Sequence, residues 1–287
     1  MTSLTCPVCS LPLNGDKVLR CEKGHSFDVS ADGYVNLLLN KKTEETGDDR
    51  DMSRARYEFL QRGFYAPLAL ETAKTACEIF DLSGNDDNDT DEHVMADAGC
   101  GSGYYDGVIY DTLKTYSAGS KKEIKLFGFD LSKTSLKKAG KLSKVRSDCS
   151  FALANIFSIP LPVASCDHII SIFAPVADKE FSRLLKQGGF VTVVSPGEDH
   201  LFGLKSFLYD KPYKNECEIK EYEGFSCFSR KRVTFEINIG KEDAKNLFKM
   251  TPYVYKTSEA DARKLDSVEE IATEADFYIT VYKKTSL

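Results

Sequence analysis

Near-continuous apolar runs recur along the middle of the chain: VMADAG at 94–99, KLFGFDL at 125–131, SFALAN at 150–155, DHIISIF at 167–173 and GFVTVVS at 189–195. Runs with so little polar alternation mark strands covered on both faces, as in a parallel sheet. Helical spacing fills the stretches between them at 104–116, 132–144 and 178–186. That alternation predicts βαβ units and an open α/β sheet with helices on both sides. Two further strands are expected at RVTFEINI (232–239) and FYITVYKK (277–284), and Gly188-Gly189 predicts a tight turn at the fifth strand. The ends differ. Residues 1–40 read as a short Cys- and Gly-rich module, 41–65 as a polar linker that turns helical, and 66–287 as the α/β domain.

The 287 residues, 42% of them hydrophobic, suffice for a packed core and exclude a disordered or coiled-coil chain. No apolar run approaches the roughly 20 residues that span a bilayer. The start, MTSLTCPVCS, has neither the basic nor the apolar region of a secretory signal. A cytoplasmic protein with no membrane partner is expected. The net charge of -6 is matched by the six acids of DLSGNDDNDTDE, Asp81 to Glu92, which read as a solvated connection. The remainder is near neutral and carries local basic clusters. These are Arg50, Arg54, Arg56 and Arg62; Lys133, Lys137, Lys138, Lys141 and Lys144; and Arg230-Lys231-Arg232. The arginine segment beside the N-terminal module is the expected phosphate contact.

Of the nine cysteines, Cys77, Cys149 and Cys166 lie singly in hydrophobic segments and read as small core residues. Cys6, Cys9, Cys21 and His25 differ: C-x2-C-x11-C-x3-H offers three thiolates and one imidazole, a tetrahedral Zn²⁺ set. A segment of this size buries too little surface to fold alone, so a metal cross-link is reasonable. With all four positions filled by protein, the site is closed and structural.

The first strand of the α/β region runs into Asp97-Ala-Gly99-Cys100-Gly101-Ser-Gly103. A dinucleotide fingerprint would need glycine at 104 or 106, where Tyr104 and Asp106 stand. The D-x-G-x-G-x-G pattern resembles motif I of class I S-adenosylmethionine methyltransferases, where Asp97 would face the amino end of the methionine moiety. Asp130 ends the second strand and can accept a ribose diol, although Ser132 beside it leaves a helix N-cap as the plain alternative. Asn155 ends the third and can meet adenine. After the fourth comes Phe173-Ala174-Pro175, the candidate acceptor-side loop. His200 follows the fifth strand on the same rim, whereas His93 and His168 read as structural.

CPVC…CEKGHSFDVSADGYVNLL, RARYEFLQRGFYAPL, DAGCGSGYY, FGFDLSK, IFAP, SPGEDHLFGLK and MTPYVYK together resemble the RlmA family of 23S rRNA guanine-N1 methyltransferases over nearly the full length. The resemblance implies a zinc ribbon ahead of a Rossmann-like methyltransferase domain with a seven-stranded, mostly parallel sheet. It implies methylation of guanine N1 in a 23S ribosomal RNA hairpin by a homodimer. It places zinc on Cys6, Cys9, Cys21 and His25, and cofactor contacts on Tyr65, Cys100, Gly101 and His200, with Asp130 as the ribose acid. Ser102 stands where many relatives carry an acid. Tyr104, Phe173 and Tyr253 are aromatic candidates to face an extruded base. A small-molecule methyltransferase with an accessory zinc module, and a non-catalytic zinc-ribbon RNA-binding factor, are the alternatives.

Overall fold

The computed structural model describes residues 3–39, 49–83 and 92–285. The acidic stretch at 84–91 and the start of the linker at 40–48 lie outside the described residues. The chain opens with an antiparallel pair, β1 (Val18–Arg20) and β2 (Ser26–Asp28), followed by β3 (Tyr34–Asn36). Helix α1 (Arg50–Gln61) starts at Asp49, whose carboxylate accepts from the Met52 amide at 2.8 Å and satisfies an otherwise orphan donor. Helix α2 (Ala66–Leu82) has proline in its first turn, where the missing N–H costs nothing.

The α/β core then unfolds in order: β4 (Glu92–Ala98), α3 (Tyr104–Tyr116), β5 (Glu123–Asp130), α4 (Lys133–Ser143), β6 (Cys149–Leu153), β7 (Cys166–Ile172), α5 (Asp178–Leu184) and β8 (Leu185–Pro196). It ends with α6 (Phe202–Leu208), β9 (Phe225–Gly240), α7 (Lys241–Lys249) and β10 (Glu270–Lys284). Sheet order is β3-β6-β5-β4-β7-β8-β10-β9, with β9 and β10 antiparallel to their neighbours and the rest parallel. Seven strands come from residues 66–287, and the eighth, β3, comes from the N-terminal module. Strand order reverses at β4, which puts a ligand crevice outside its carboxyl end.

The five expected parallel strands and three expected helices all form. The Gly188-Gly189 turn is absorbed into β8 as a register shift opposite Cys166 and His168. β9 and β10 extend well beyond the expected 232–239 and 277–284, because they pair along their length as a ribbon at the sheet edge. The outer face of β9 is polar and exposed, so hydrophobic runs do not reveal its first half. Among the described residues no helix is long and apolar enough to cross a membrane.

The N-terminal module is bolted to the sheet. Thr5 donates its amide to the Pro160 carbonyl at 2.8 Å, and Leu37 to that of Leu153 at 3.0 Å. Cys6 and Cys21 share one apolar cluster with Phe129, Ala152 and Ile159. Helix α4 meets the β2–β3 turn where a Cβ on Gly140 would sit 2.6 Å from the Asp32 carbonyl oxygen, and Ser143 Oγ donates to the Gly33 carbonyl at 2.9 Å. Gly140→Ala should therefore destabilise the protein despite alanine's helix preference of about 1 kcal/mol, because overlap with backbone, which cannot rotate away, falls at the costly end of overpacking, about 2–3 kcal/mol. Urea unfolding should show a net loss of about 1–2 kcal/mol; an unchanged or raised midpoint would refute the contact.

Candidate cofactor, metal and acceptor sites

The turn after β4 hangs from the tip of β5. Gly99 and Cys100 donate their amides to the Phe129 carbonyl at 2.8 and 3.0 Å, and Gly101 donates to Asp130 Oδ2 at 2.9 Å. Gly103 turns back to the Cys100 carbonyl at 3.0 Å. These four amides are committed internally, so the turn cannot cradle a pyrophosphate as a dinucleotide loop does. Gly99 (φ 98°) passes so close to the acceptor-side loop that a Cβ would lie 2.6 Å from that of Ala174. Gly103 (φ 76°) packs on Ala139 and Leu142 of α4.

Asp130 is not the cap of α4. Ser132 is, accepting from the Ser135 amide, while Asp130 Oδ1 accepts from the Ser132 amide at 2.6 Å. A carboxylate has about four acceptor directions, so both oxygens retain capacity for a diol. Ala154 donates to the Asp130 carbonyl at 3.1 Å, lacing the β6 tip to that of β5. Next to it, Asn155 Oδ1 accepts from the Phe157 amide at 3.0 Å, which orients the amide NH₂ as donor. Asp97 is buried at the end of β4 beside the buried Asp106 of α3, and burial first, then the neighbouring Asp106, pushes its carboxyl well above the ordinary range.

On the other side of Gly99 opens a cavity of about 1010 Å³ whose wall includes Tyr65, Tyr105, Phe173, Ala174, Pro175 and His200. Phe173 holds a left-handed backbone (φ 56°), strained for an aromatic residue, and remains 45% exposed. Its amide is tied to the Val194 carbonyl at 3.1 Å, and Ser171 Oγ donates to the Ala174 carbonyl at 3.1 Å. Phe277 of β10 gathers this wall: its ring lies 5.0 Å from Tyr65, 4.6 Å from His200 and 5.5 Å from Phe173. His200 Nδ1 accepts from the Asp276 amide at 3.4 Å, which puts the ring proton on Nε2. Burial first, then the charge of Lys205, brings its pKa down to about 3, so the ring is neutral. Burial also pushes the Tyr65 hydroxyl far up, so it stays protonated.

The structure thus separates the predicted residues into strand tips (Asp97, Gly99, Cys100, Gly101, Gly103, Asp130, Asn155) and cavity wall (Tyr65, Phe173, Ala174, Pro175, His200). Tyr253 is on the wall; the expected Tyr104 is not, and its neighbour Tyr105 is. Tyr105 and Phe277 were not among the expected site residues, and Arg56, expected as a phosphate contact, lines the cavity instead. His93 and His168 are buried and bonded to Ser83 and Thr192. The Arg230-Lys231-Arg232 cluster is paired within the chain: Arg232 bonds Asp276 and Asp199, Lys231 bonds Glu71, and Arg230 reaches the Cys217 carbonyl. Arg54 and Arg62 pair with Glu58 and Asp243, and Arg56 donates to the Met250 carbonyl at 3.0 Å.

The metal-ligand set stands apart. One ligand atom from each of Cys6, Cys9, Cys21 and His25 lies within 4.8 Å of the others. Cys9 Sγ–Cys21 Sγ is 3.7 Å, and His25 Nδ1 lies 3.5 and 3.4 Å from the sulfurs of Cys6 and Cys21. A tetrahedron with Zn–S of about 2.3 Å has S···S edges of about 3.8 Å and S···N edges of about 3.5 Å. The fit is close. Ser10 (φ 59°) closes the first knuckle and Gly24 (φ 83°) the second.

Two family models match: "RlmA, N-terminal" over residues 4–43 and "Methyltransferase domain" over 89–251. The 23S rRNA (guanine(748)-N(1))-methyltransferase of Streptomyces fradiae is 32% identical over 207 residues, 71% of this chain and 67% of that one. YxjB of Bacillus subtilis, named for guanine-N1 methylation of 23S rRNA, is 30% identical over 87% of this chain and 86% of its own. The chain belongs to the 23S rRNA (guanine-N1-)-methyltransferase family. Among solved structures, loganic acid methyltransferase with SAH aligns with a TM-score of 0.54 at 10% identity, covering 78% of this chain and 95% of that one. At that identity the match shows the fold alone. Within this family the cofactor is S-adenosylmethionine and the metal is structural Zn²⁺, and the strand tips and the thiolate–imidazole set fit them.

Asp130→Ala should weaken S-adenosylhomocysteine binding by about 1.5–3 kcal/mol, roughly 10- to 150-fold, with cooperative unfolding retained. Unchanged affinity in a titration would remove the ribose role. Cys21→Ser should lose bound zinc by elemental analysis and lower the melting temperature, because Cys6 and Cys21 are built into the cluster that supports β5 and β6. Retained stoichiometric zinc would refute the ligand set.

Proposed function

We propose that this chain transfers the methyl group of S-adenosylmethionine to N1 of a guanine in a hairpin of 23S ribosomal RNA, acting in the cytoplasm as a homodimer. The observation that carries the reading is the Gly99–Ala174 contact, which sets the cofactor rim against an aromatic cavity able to take a base. The names of the relatives supply the acceptor, and the family resemblance supports the dimer and the role of residues 1–40 in recognising RNA. Neither alternative reading has a comparable observation in its favour.

Asp130 and Asn155 would hold ribose and adenine, Asp97 the amino end of methionine, and Tyr65 and His200 its carboxylate end. Bound cofactor supplies an already activated methyl sulfonium, so alignment of the base provides most of the rate. Phe173, Tyr105 and Tyr253 offer ring faces to a guanine drawn out of its stack. His200 is a poor proton acceptor at neutral pH, since burial and Lys205 keep its ring from taking a second proton until about pH 3. Among the described cavity-lining residues the carboxylates are Glu216 and Glu218, which join solvent as routes for the N1 proton. For the phosphates, Lys137, Lys141 and Lys144 are exposed along α4, the helix that abuts the zinc module at Gly33. This surface replaces the arginine segment as the first contact.

Primer extension on 23S RNA from cells with and without the gene tests the reading. A stop at one guanine appearing only with the gene is expected, and an identical pattern would sink it. Phe173→Ala should lower turnover on an RNA hairpin about 10-fold or more while leaving cofactor affinity within about two-fold, as for a group that orients the acceptor. A loss of cofactor affinity instead would assign Phe173 to the donor side.

A further inference from the structure

We propose that Asp106 is a second carboxylate of the cofactor site, sharing one proton with Asp97 while the site is empty and releasing it to solvent when the donor's ammonium group arrives. The proposal rests on the cofactor reading above and adds a residue that neither sequence motif nor resemblance singled out.

Asp97 closes β4 and Asp106 lies in the first turn of α3, so the two acids flank the glycine turn from either end. They are 3% and 1% exposed. Oδ1 of Asp97 and both oxygens of Asp106 find no donor among the described residues other than a proton held between the two carboxyls. The titratable groups facing the pair are Asp130 at the β5 tip, the Cys100 thiol, the Tyr105 hydroxyl and the Cys149 thiol of β6. None is cationic. Arg56 of α1 acts on Tyr105 and also bonds the Met250 carbonyl. Asp97 and Asp106 are thus two buried acids side by side, with Asp130 as a third acid acting on both.

Structure alone does not require a second acid here. A threonine at 106 would give Asp97 its hydrogen bond without burying another carboxyl. Burial pushes the Asp106 carboxyl up to about 7, against the hydrogen bond from Asp97 that lowers it. The N-terminal end of α3 favours the ionised form once a cation is near. The first turn of that helix begins where the cofactor turn ends, so an ammonium beside Asp97 also reaches the field of Asp106. On binding, one carboxyl O–H bond breaks and its proton goes to the buffer. The ammonium N–H groups then donate to the two carboxylates, and no electrons are exchanged.

Calorimetry of the full, zinc-loaded chain with S-adenosylhomocysteine tests this at about pH 6.5, where an α-ammonium is fully protonated. The enthalpy is compared in buffers of low and high ionisation enthalpy. The wild type should release between about half and one proton per molecule bound. Asp106→Asn should release none and bind about 10-fold more weakly. Asp106→Thr should likewise release none, with a melting temperature near that of the wild type. Binding without proton release in the wild type would overturn the proposal and leave the cofactor reading intact, as would equal release in Asp106→Asn. No binding at all would overturn both.

Discussion

The amides of Gly99 and Cys100 converge on the Phe129 carbonyl while that of Gly101 reaches the Asp130 carboxylate, so the cofactor turn is suspended from the neighbouring strand. This arrangement sits where strand order reverses in the sheet, a place where adjacent strand ends diverge and can admit a ligand. Its consequences run both ways. With the amides of Gly99, Cys100 and Gly101 spent on β5 and that of Gly103 on the turn itself, the glycines offer no cradle for a pyrophosphate, which selects against a dinucleotide. It also fixes the height of Gly99, and with it the contact to Ala174 that brings donor and acceptor sides together. A Cβ at 99 would separate them; the glycine serves as a spacer of minimal thickness.

The metal-braced head enters the same construction from the far edge. β3 continues the parallel sheet beside β6, and Gly33 and Gly140 let the β2–β3 turn press on α4. The two elements it touches, β6 and α4, lead to Asn155 and start just after Asp130. Zinc in such a head would stiffen the edge that carries Asp130 and Asn155, the residues proposed to face adenosine. A short segment could not do so alone, since β1 and β2 amount to three residues each.

The parallel strands were legible because burial on both faces leaves unbroken apolar runs, and the zinc set because its ligands are close in sequence. The strand-tip residues followed, since a βαβ topology brings successive strand ends to one rim whatever the side chains. The cavity wall was less legible. Tyr105 and Phe277 are separated by much of the chain and each sits in a hydrophobic context, so nothing local distinguishes a wall from a core. The Arg230-Lys231-Arg232 run does lie at the surface, but nothing in it shows that Asp276, fully buried on the paired strand, holds the Arg232 guanidinium. Long-range charge pairing of this kind leaves no trace in a window of sequence. Asp106 escaped notice for a related reason, being an ordinary acid in a helix's first turn until burial and its partner are known.

Charge in this molecule is sorted by task. Acids gather at the cofactor rim, where a cationic donor would relieve a repulsion that burial makes costly. Lysines line the exposed face of α4 beside the zinc module, where water and salt screen them from the acids and an RNA backbone could displace their counterions. The overall deficit of positive charge is therefore compatible with RNA as a substrate, because the electrostatic contribution to binding depends on which face meets the phosphates. On the proposed reading it would also set a direction for encounter: α4, with its exposed lysines, begins just after the carboxylate that holds the glycine turn, so one helix would link the docking face to the donor site.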